Sequence, residues 1–259
     1  VGGSLMRGAL RSLVHQGYSL MLVLACWEIT CRAGWVAPHL LPAPSAVALR
    51  LGELLTQSAY LGHMAQTLIR LFAGLTVATL LGVAIGLFAG RSEIGGRLLE
   101  PLVRILAPIP KIALYPAVIL ILGFDHASKI ALVVVDAIFP VLLATYQGAR
   151  MVEPKLIWSA RSAGTSEFAC TLKIVLPATL PAIVTGFRIA LVVSCVVVFL
   201  AEMISSSDGL GHLLIRAARS FRTIDMFVPL VTISLLGLML NSLVTVARRH
   251  FLKGFPEVH

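Results

Sequence analysis

About six windows of roughly twenty residues, near 18–35, 65–90, 101–123, 130–149, 178–204 and 226–247, are apolar enough to cross a bilayer whose hydrocarbon core is about 30 Å thick. Stretches such as 191–200 and 228–240 are apolar nearly all round, and a helix of that kind needs lipid or other helices on every side. Composition removes the soluble alternative. Hydrophobic residues make up 58% of the chain and charged residues only 13%, against about a quarter in soluble domains. The expected fold is therefore an all-α polytopic membrane protein with about six transmembrane helices, which puts both termini on one side.

Orientation follows from the loops. Arg7 and Arg11, Arg91 and Arg97, the cations from Arg150 through Lys173, and Arg248, Arg249 and Lys253 fall on one side, which should be cytoplasmic. Residues 1–17 then form a cytoplasmic N-terminal segment, and 18–259 a single transmembrane domain with a cytoplasmic loop at 150–177. Arg216, Arg219 and Arg222 fall on the outer side at three-residue spacing, as a solvated helix face or the lining of an outer vestibule. Arg7, Arg11 and the apolar run 18–26, with Val23-Leu24-Ala25-Cys26, resemble a processed signal, but the spans that follow favour a retained first helix. Between the first two spans, Pro38 to Pro44 punctuate the chain, and Pro44 and Ser45 should open a short helix.

Several chemistries are excluded. The net charge of +9 is dispersed between apolar spans and not gathered on an aromatic-rich face, so lipid is the expected partner and nucleic acid is not. Cys26, Cys31, Cys170 and Cys195 lack metal-ligand spacing. His15, His39, His63, His126, His212, His250 and His259 are scattered at loops and span ends with no HExxH pattern, so no metal site and no catalytic residue is expected. No Gly-x-x-x-x-Gly-Lys-Ser/Thr loop is present, so ATP hydrolysis of that type would need another polypeptide.

The loop 150–177 is not merely polar. Trp158, Ala160, Ala163, Phe168 and Leu172 are mixed with Ser159, Arg161, Ser162 and Lys173, as in short helices that present an apolar knob to a partner. Gly164 should turn the chain after a first short helix, and a second helix should start after Leu176-Pro177.

Here the sequence resembles the permease subunits of ATP-binding-cassette importers, whose cytoplasmic signature runs approximately Glu-Ala-Ala, three residues, Gly, nine residues, Ile, one residue, Leu-Pro. This chain has Trp158-Ser159-Ala160, Gly164, Ile174, Leu176 and Pro177, with Trp158 and Ser159 departing from the usual Glu and Ala. The resemblance extends over about 27–253 and narrows to the nitrate, sulfonate and taurine branch. It is carried by Trp27-Glu28, Leu41-Pro42-Ala43-Pro44-Ser45, Thr67-Leu68-Ile69-Arg70, Pro108-Ile109-Pro110, Gly186-Phe187-Arg188, Ala201-Glu202-Met203 and Ser207-Asp208-Gly209-Leu210-Gly211. Lys111 stands where the family often has Pro, and Asn241 where Asp is more usual.

The resemblance implies a type I importer fold and a dimer with a second copy. It also implies two separate ATPase subunits that carry the ATP and Mg, and a periplasmic or extracellular substrate-binding protein, in a bacterial inner membrane. The first helix of the loop, with Trp158, Ser159, Ala160 and Arg161, would dock on the ATPase and transmit its motion as alternating access. Substrates of the branch are small and mostly anionic, although some members carry thiamine-pyrimidine precursors. A self-contained secondary transporter or channel is the alternative, but no internal repeat is evident and intramembrane acids are few. An intramembrane enzyme would need paired catalytic groups, which are not evident either.

Pathway candidates come from polar and helix-breaking residues inside spans. Pro108, Pro110 and Pro116 oppose regular helix in the third span, so a kink or break is expected there, as pathway lining or as structure. Lys111 and Arg188 lie about ten to thirteen residues inward from Leu98 and Pro177, close to mid-bilayer at about 1.5 Å per residue. Two cations at that depth suit an anionic substrate, though Arg188 also suits a structural bond. Asp136 is placed to neutralise either cation, Glu202 to pair with Arg70, and Glu28 with Arg32. Ser205, Ser206, Ser207, Asp208 and Gly209, leading from the fifth helix into a loop taken as flexible, form either an outer gate or an ordinary interhelical turn.

Overall fold

The computed structural model describes residues 18–37 and 39–251. The segment 1–17 with Arg7, Arg11 and His15 lies outside the described residues, as do Pro38, Lys253 and His259. The described chain is helical, without strands. Its helices are α1 (18–32), α2 (Pro44–Leu55), α3 (Ser58–Arg91), α4 (Glu93–Leu106), α5 (Tyr115–Leu122), α6 (His126–Arg150), α7 (Pro154–Ser162), α8 (Glu167–Cys170), α9 (Leu176–Ser205), α10 (Leu210–Arg219) and α11 (Thr223–Phe251).

Among the described residues, four helical stretches are long and apolar enough to span a membrane: Ser58–Arg91, His126–Arg150, Glu167–Ser205 and Thr223–His250. A fifth span arises if Glu93–Leu106 and Lys111–Leu122 are taken together across an 82° bend. The expected break in the third span is therefore present, between Leu106 and Lys111. Pro108 and Pro110 cannot donate backbone hydrogen bonds there, and Lys111–Leu114 forms a tighter 3-10 turn. Pro116 breaks nothing, because it occupies the first turn of α5, where its missing N–H is not needed.

The chain divides into two compact units. One comprises the described residues up to Leu61 together with Leu213–Thr232. Here Glu28 accepts from Arg32 Nε at 2.6 Å, as expected, and also from the backbone N–H and hydroxyl of Ser45 at 3.0 and 2.6 Å, tying α1 to the start of α2. Arg50 pairs with Asp225 at 2.7 Å, Tyr60 and Thr232 share a 2.5 Å hydrogen bond, and Trp27 packs on Phe227.

The other unit, Gly62–His212 with Ile233–His259, holds α4 to α9 and most of α3. Small residues set how closely its helices approach. On α3, a Cβ at Gly74, Gly86 or Gly90 would lie 2.6–2.7 Å from the side chain of Val133, Thr145 or Ala149 on α6. Gly186 of α9 meets Ala144 and the Pro140 carbonyl, both at 2.7 Å from such a Cβ. Gly86→Val should therefore push α3 off α6 and cost about 1–3 kcal/mol of stability, read as a lower melting temperature of the detergent-solubilised protein. An unchanged melting temperature would show that the helices can separate freely.

Candidate functional site

The segment 150–177 folds as an elbow of two short helices joined by a turn at Gly164. Pro154 opens α7 at its first turn, and α7 ends in a Schellman motif. Gly164 adopts φ +78°, its N–H donates to Arg161 O at 2.9 Å, and the Thr165 N–H reaches back to Ala160 O at 3.1 Å. Ser166 then caps α8, its hydroxyl accepting from the Ala169 N–H at 3.3 Å. Arg161 forms an ion pair with Glu167 across the bend. One face of the elbow is anchored: Ile157, Cys170 and Val175 are buried with Leu87, Ala149 and Val152, and Ala160, Ile174 and Leu176 pack against them. The other face carries exposed apolar side chains, with Trp158 63% and Phe168 75% exposed, beside Met151 and Leu156.

One expectation is corrected here. The second helix does not start after Leu176-Pro177 but at Glu167, and it continues unbroken to Ser205. Pro177 has no N–H for the Lys173 carbonyl, and a wider π-type turn at Thr171–Val175 takes up the fault, with the Leu176 N–H bonding Thr171 O.

Lys111 follows the 82° bend, so counting straight inward from Leu98 misplaces it. Its ammonium donates to Ala107 O at 2.9 Å, lies 3.5 Å from Asp136 and sits 4.5 Å from the centre of the Phe139 ring. That charge is taken up within the chain. Arg188 differs. Its Nε donates to Asn241 Oδ1 at 3.1 Å, and no carboxylate among the described residues lies within ion-pair distance of it.

At the opposite end of the spans, the serine-rich turn after α9 is held and not loose. Arg70, 3% exposed, reaches Glu202 Oε1 at 2.7 Å and also binds Asp208, while its Nε donates to His126 Nδ1 at 3.1 Å. Glu202 has no exposed side-chain surface and so does not face a pathway in this conformation. It accepts from the Thr67 hydroxyl at 2.9 Å and the Gly211 N–H at 3.1 Å. The Gly209 N–H donates to His63 Nδ1 at 3.0 Å, and the Leu210 N–H to Thr67 Oγ1 at 2.9 Å. Gly209 has φ +95°, and a Cβ there would run into the Glu202 carboxylate. Ser206 bonds Asp208, Ser205 shares a 2.8 Å hydrogen bond with Tyr115, and Ser207 is exposed. Burial pushes the Asp208 carboxyl up, but the hydrogen bonds and charge of Arg70 outweigh it and hold it below the usual range.

A family model described as binding-protein-dependent transport system inner membrane component matches residues 82–255, more than half of the chain. The chain belongs to this family. It is 32% identical over 232 residues to the aliphatic sulfonates transport permease protein SsuC of Bacillus subtilis, covering 90% of this chain and 84% of that one. It is 27% identical to the taurine transport system permease protein TauC of Escherichia coli, covering 86% and 83%. Among solved structures, the MetNI methionine ABC transporter in an inward-facing conformation aligns with a TM-score of 0.62 at 19% identity, over 75% of this chain and 95% of that one, which places the fold alone.

The permease thus brings three of the predicted pairs together, Arg70 with Glu202, Lys111 with Asp136 and Glu28 with Arg32, and gives Arg188 a neutral partner. His63, Thr67 and His126 are not legible in the sequence as part of the lock on the serine-rich turn. Their partners lie 146, 135 and 56 positions away in the chain, and no spacing pattern marks such a bond.

Proposed function

We propose that this permease forms the transmembrane pathway of an importer driven by separate ATPase subunits, taking in a small anion such as an aliphatic sulfonate or taurine. Two copies surround the route, with both termini cytoplasmic. Two ATPases bind the ATP and Mg below, and a substrate-binding protein delivers the solute from outside. The chain itself hydrolyses no ATP. ATP binding closes the ATPase pair, the elbow moves with it as a rigid body, and the cavity opens outward.

The observation that carries this reading is the two-sided elbow, with Trp158 and Phe168 exposed on a helix pair anchored by Ile157, Cys170 and Val175. A Trp held in water by a rigid support is what a docking helix needs, since aromatic anchors dominate interface energies. Trp158→Ser should weaken association with the cognate ATPase by about 2 kcal/mol or more, measured by titration of the ATPase onto the permease in nanodiscs. Failure of the wild-type chain to bind any ATPase encoded beside it would sink the proposal and leave a self-contained transporter as the better reading.

A further inference from the structure

Cations inside a bilayer must be compensated or must face water, because a guanidinium in lipid is costly. Among the described residues within spans, Arg70 is met by Glu202 and Asp208, and Lys111 by Asp136, the Ala107 carbonyl and Phe139. Lys129 donates to the carbonyls of Phe124 and Asp125. Arg188 has only the side-chain oxygen of Asn241, at its Nε.

Three features of this pair point outward. Arg188 lies midway between Lys173 and Glu202, on a stretch with no other Asp, Glu, Lys or Arg, so it sits near the bilayer centre. Arg188 and Asn241 are both partly exposed, and the terminal nitrogens of Arg188 are not among the buried polar atoms. Those nitrogens and the Asn241 amide nitrogen donate to no described group, so a fork of N–H donors remains open beside a second neutral donor. A fixed guanidinium edge of that kind matches the paired oxygens of a sulfonate or carboxylate.

We infer that Arg188 and Asn241 form an oxyanion subsite within the permeation pathway, Arg188 supplying the charge and Asn241 holding its Nε while leaving that charge uncancelled. This rests on the importer reading for its purpose, but not for its test. Asn241 is the informative position, since an Asp there would keep the shape and the hydrogen bond while neutralising Arg188 within the protein.

The test is equilibrium binding of radiolabelled ethanesulfonate to the full chain in nanodiscs, at millimolar concentration, with no ATPase present. Asn241→Asp should weaken binding about tenfold or more, because a carboxylate beside the site repels the anion and occupies the guanidinium. Asn241→Gln, which stays neutral, should remain within about threefold of wild type. Arg188→Gln should abolish binding, and adding Asn241→Asp to it should bring no further selective loss. No binding by the correctly folded wild type, or equal binding by Asn241→Asp and wild type, would overturn the subsite. A shift from dimer to monomer in Asn241→Asp with binding unchanged would also overturn it, and would assign the guanidinium to a carboxylate of a second copy. Binding that follows this pattern in a chain that associates with no ATPase would leave the subsite standing and remove the importer reading instead.

Discussion

Gly164→Pro is expected to reduce ATP-dependent uptake by the reconstituted permease–ATPase complex to background. Gly164 sits at φ +78°, which the proline ring, held near −65°, cannot adopt. The substitution also deletes the N–H that donates to Arg161 O. Either the α7 end unwinds or α8 is displaced, and Trp158 loses its fixed position relative to the span that begins at Glu167. The penalty is about 3 kcal/mol or more, concentrated at the bend and not in the membrane core. Gly164→Ala, which meets open space and pays only about 1–2 kcal/mol for left-handed backbone, should show a partial loss. Uptake and nucleotide hydrolysis measured side by side in proteoliposomes separate the cases. Wild-type uptake by the Pro variant would mean that motion does not pass through a rigid elbow.

Arg70→Met is expected to be the most destabilising single change outside the elbow. It strands the Glu202 carboxylate, which has no exposed surface, and releases Asp208 and the His126 bond together. Removing one partner of a buried ion pair costs about 3–5 kcal/mol, most of it the desolvation of the group left behind. The melting temperature in detergent and the yield of folded protein should both fall sharply. Arg70→Met with Glu202→Met should recover much of the loss, because no uncompensated charge then remains. A double variant as unstable as the single would show that packing around Thr67 and Gly211, and not charge, holds the turn. Asp208 adds a pH dependence of known sign. Its carboxyl is held below the usual range, so its contribution is complete at neutral pH and is lost as the pH falls through the lowered value.

The same lock constrains how the serine-rich turn after α9 can move. A gate at Ser205–Gly209 cannot swing as a slack loop, since Ser206, Asp208, Gly209 and Leu210 are each bonded to another part of the chain. Were the turn a gate, opening it would require these bonds to exchange for others as a set, and the turn would behave as a two-position element.

Much of this was legible in the order of residues. Bilayer-length apolar runs define helices, because a backbone in lipid must satisfy its own hydrogen bonds, and only a helix or a closed barrel does so. Pro108 and Pro110 announce the break in the third span, because the missing donor is a property of the residue itself. Gly164 announces the elbow for a similar local reason. Pro177, by contrast, suggests a helix start and instead lies in a continuous helix, since a π-type turn at Thr171–Val175 shifts the register, the Leu176 N–H bonding Thr171 O. What a proline does depends on whether its neighbours can shift register, and that is settled by packing around Cys170 and Val175.

Sequence alone determined that the chain spans a membrane, where its third span breaks and where the segment 150–177 turns, because each of these rests on side-chain polarity or backbone freedom at consecutive positions. Tertiary structure alone decided which charges are spent and which are left. Lys111 and Arg188 read alike as cations in apolar spans, yet one is absorbed by Asp136 and Phe139 and the other meets only Asn241, 53 positions away. In a medium of low dielectric the meaning of a charge lies in what stands within a few ångströms of it, and only the packing of helices distant in sequence sets that.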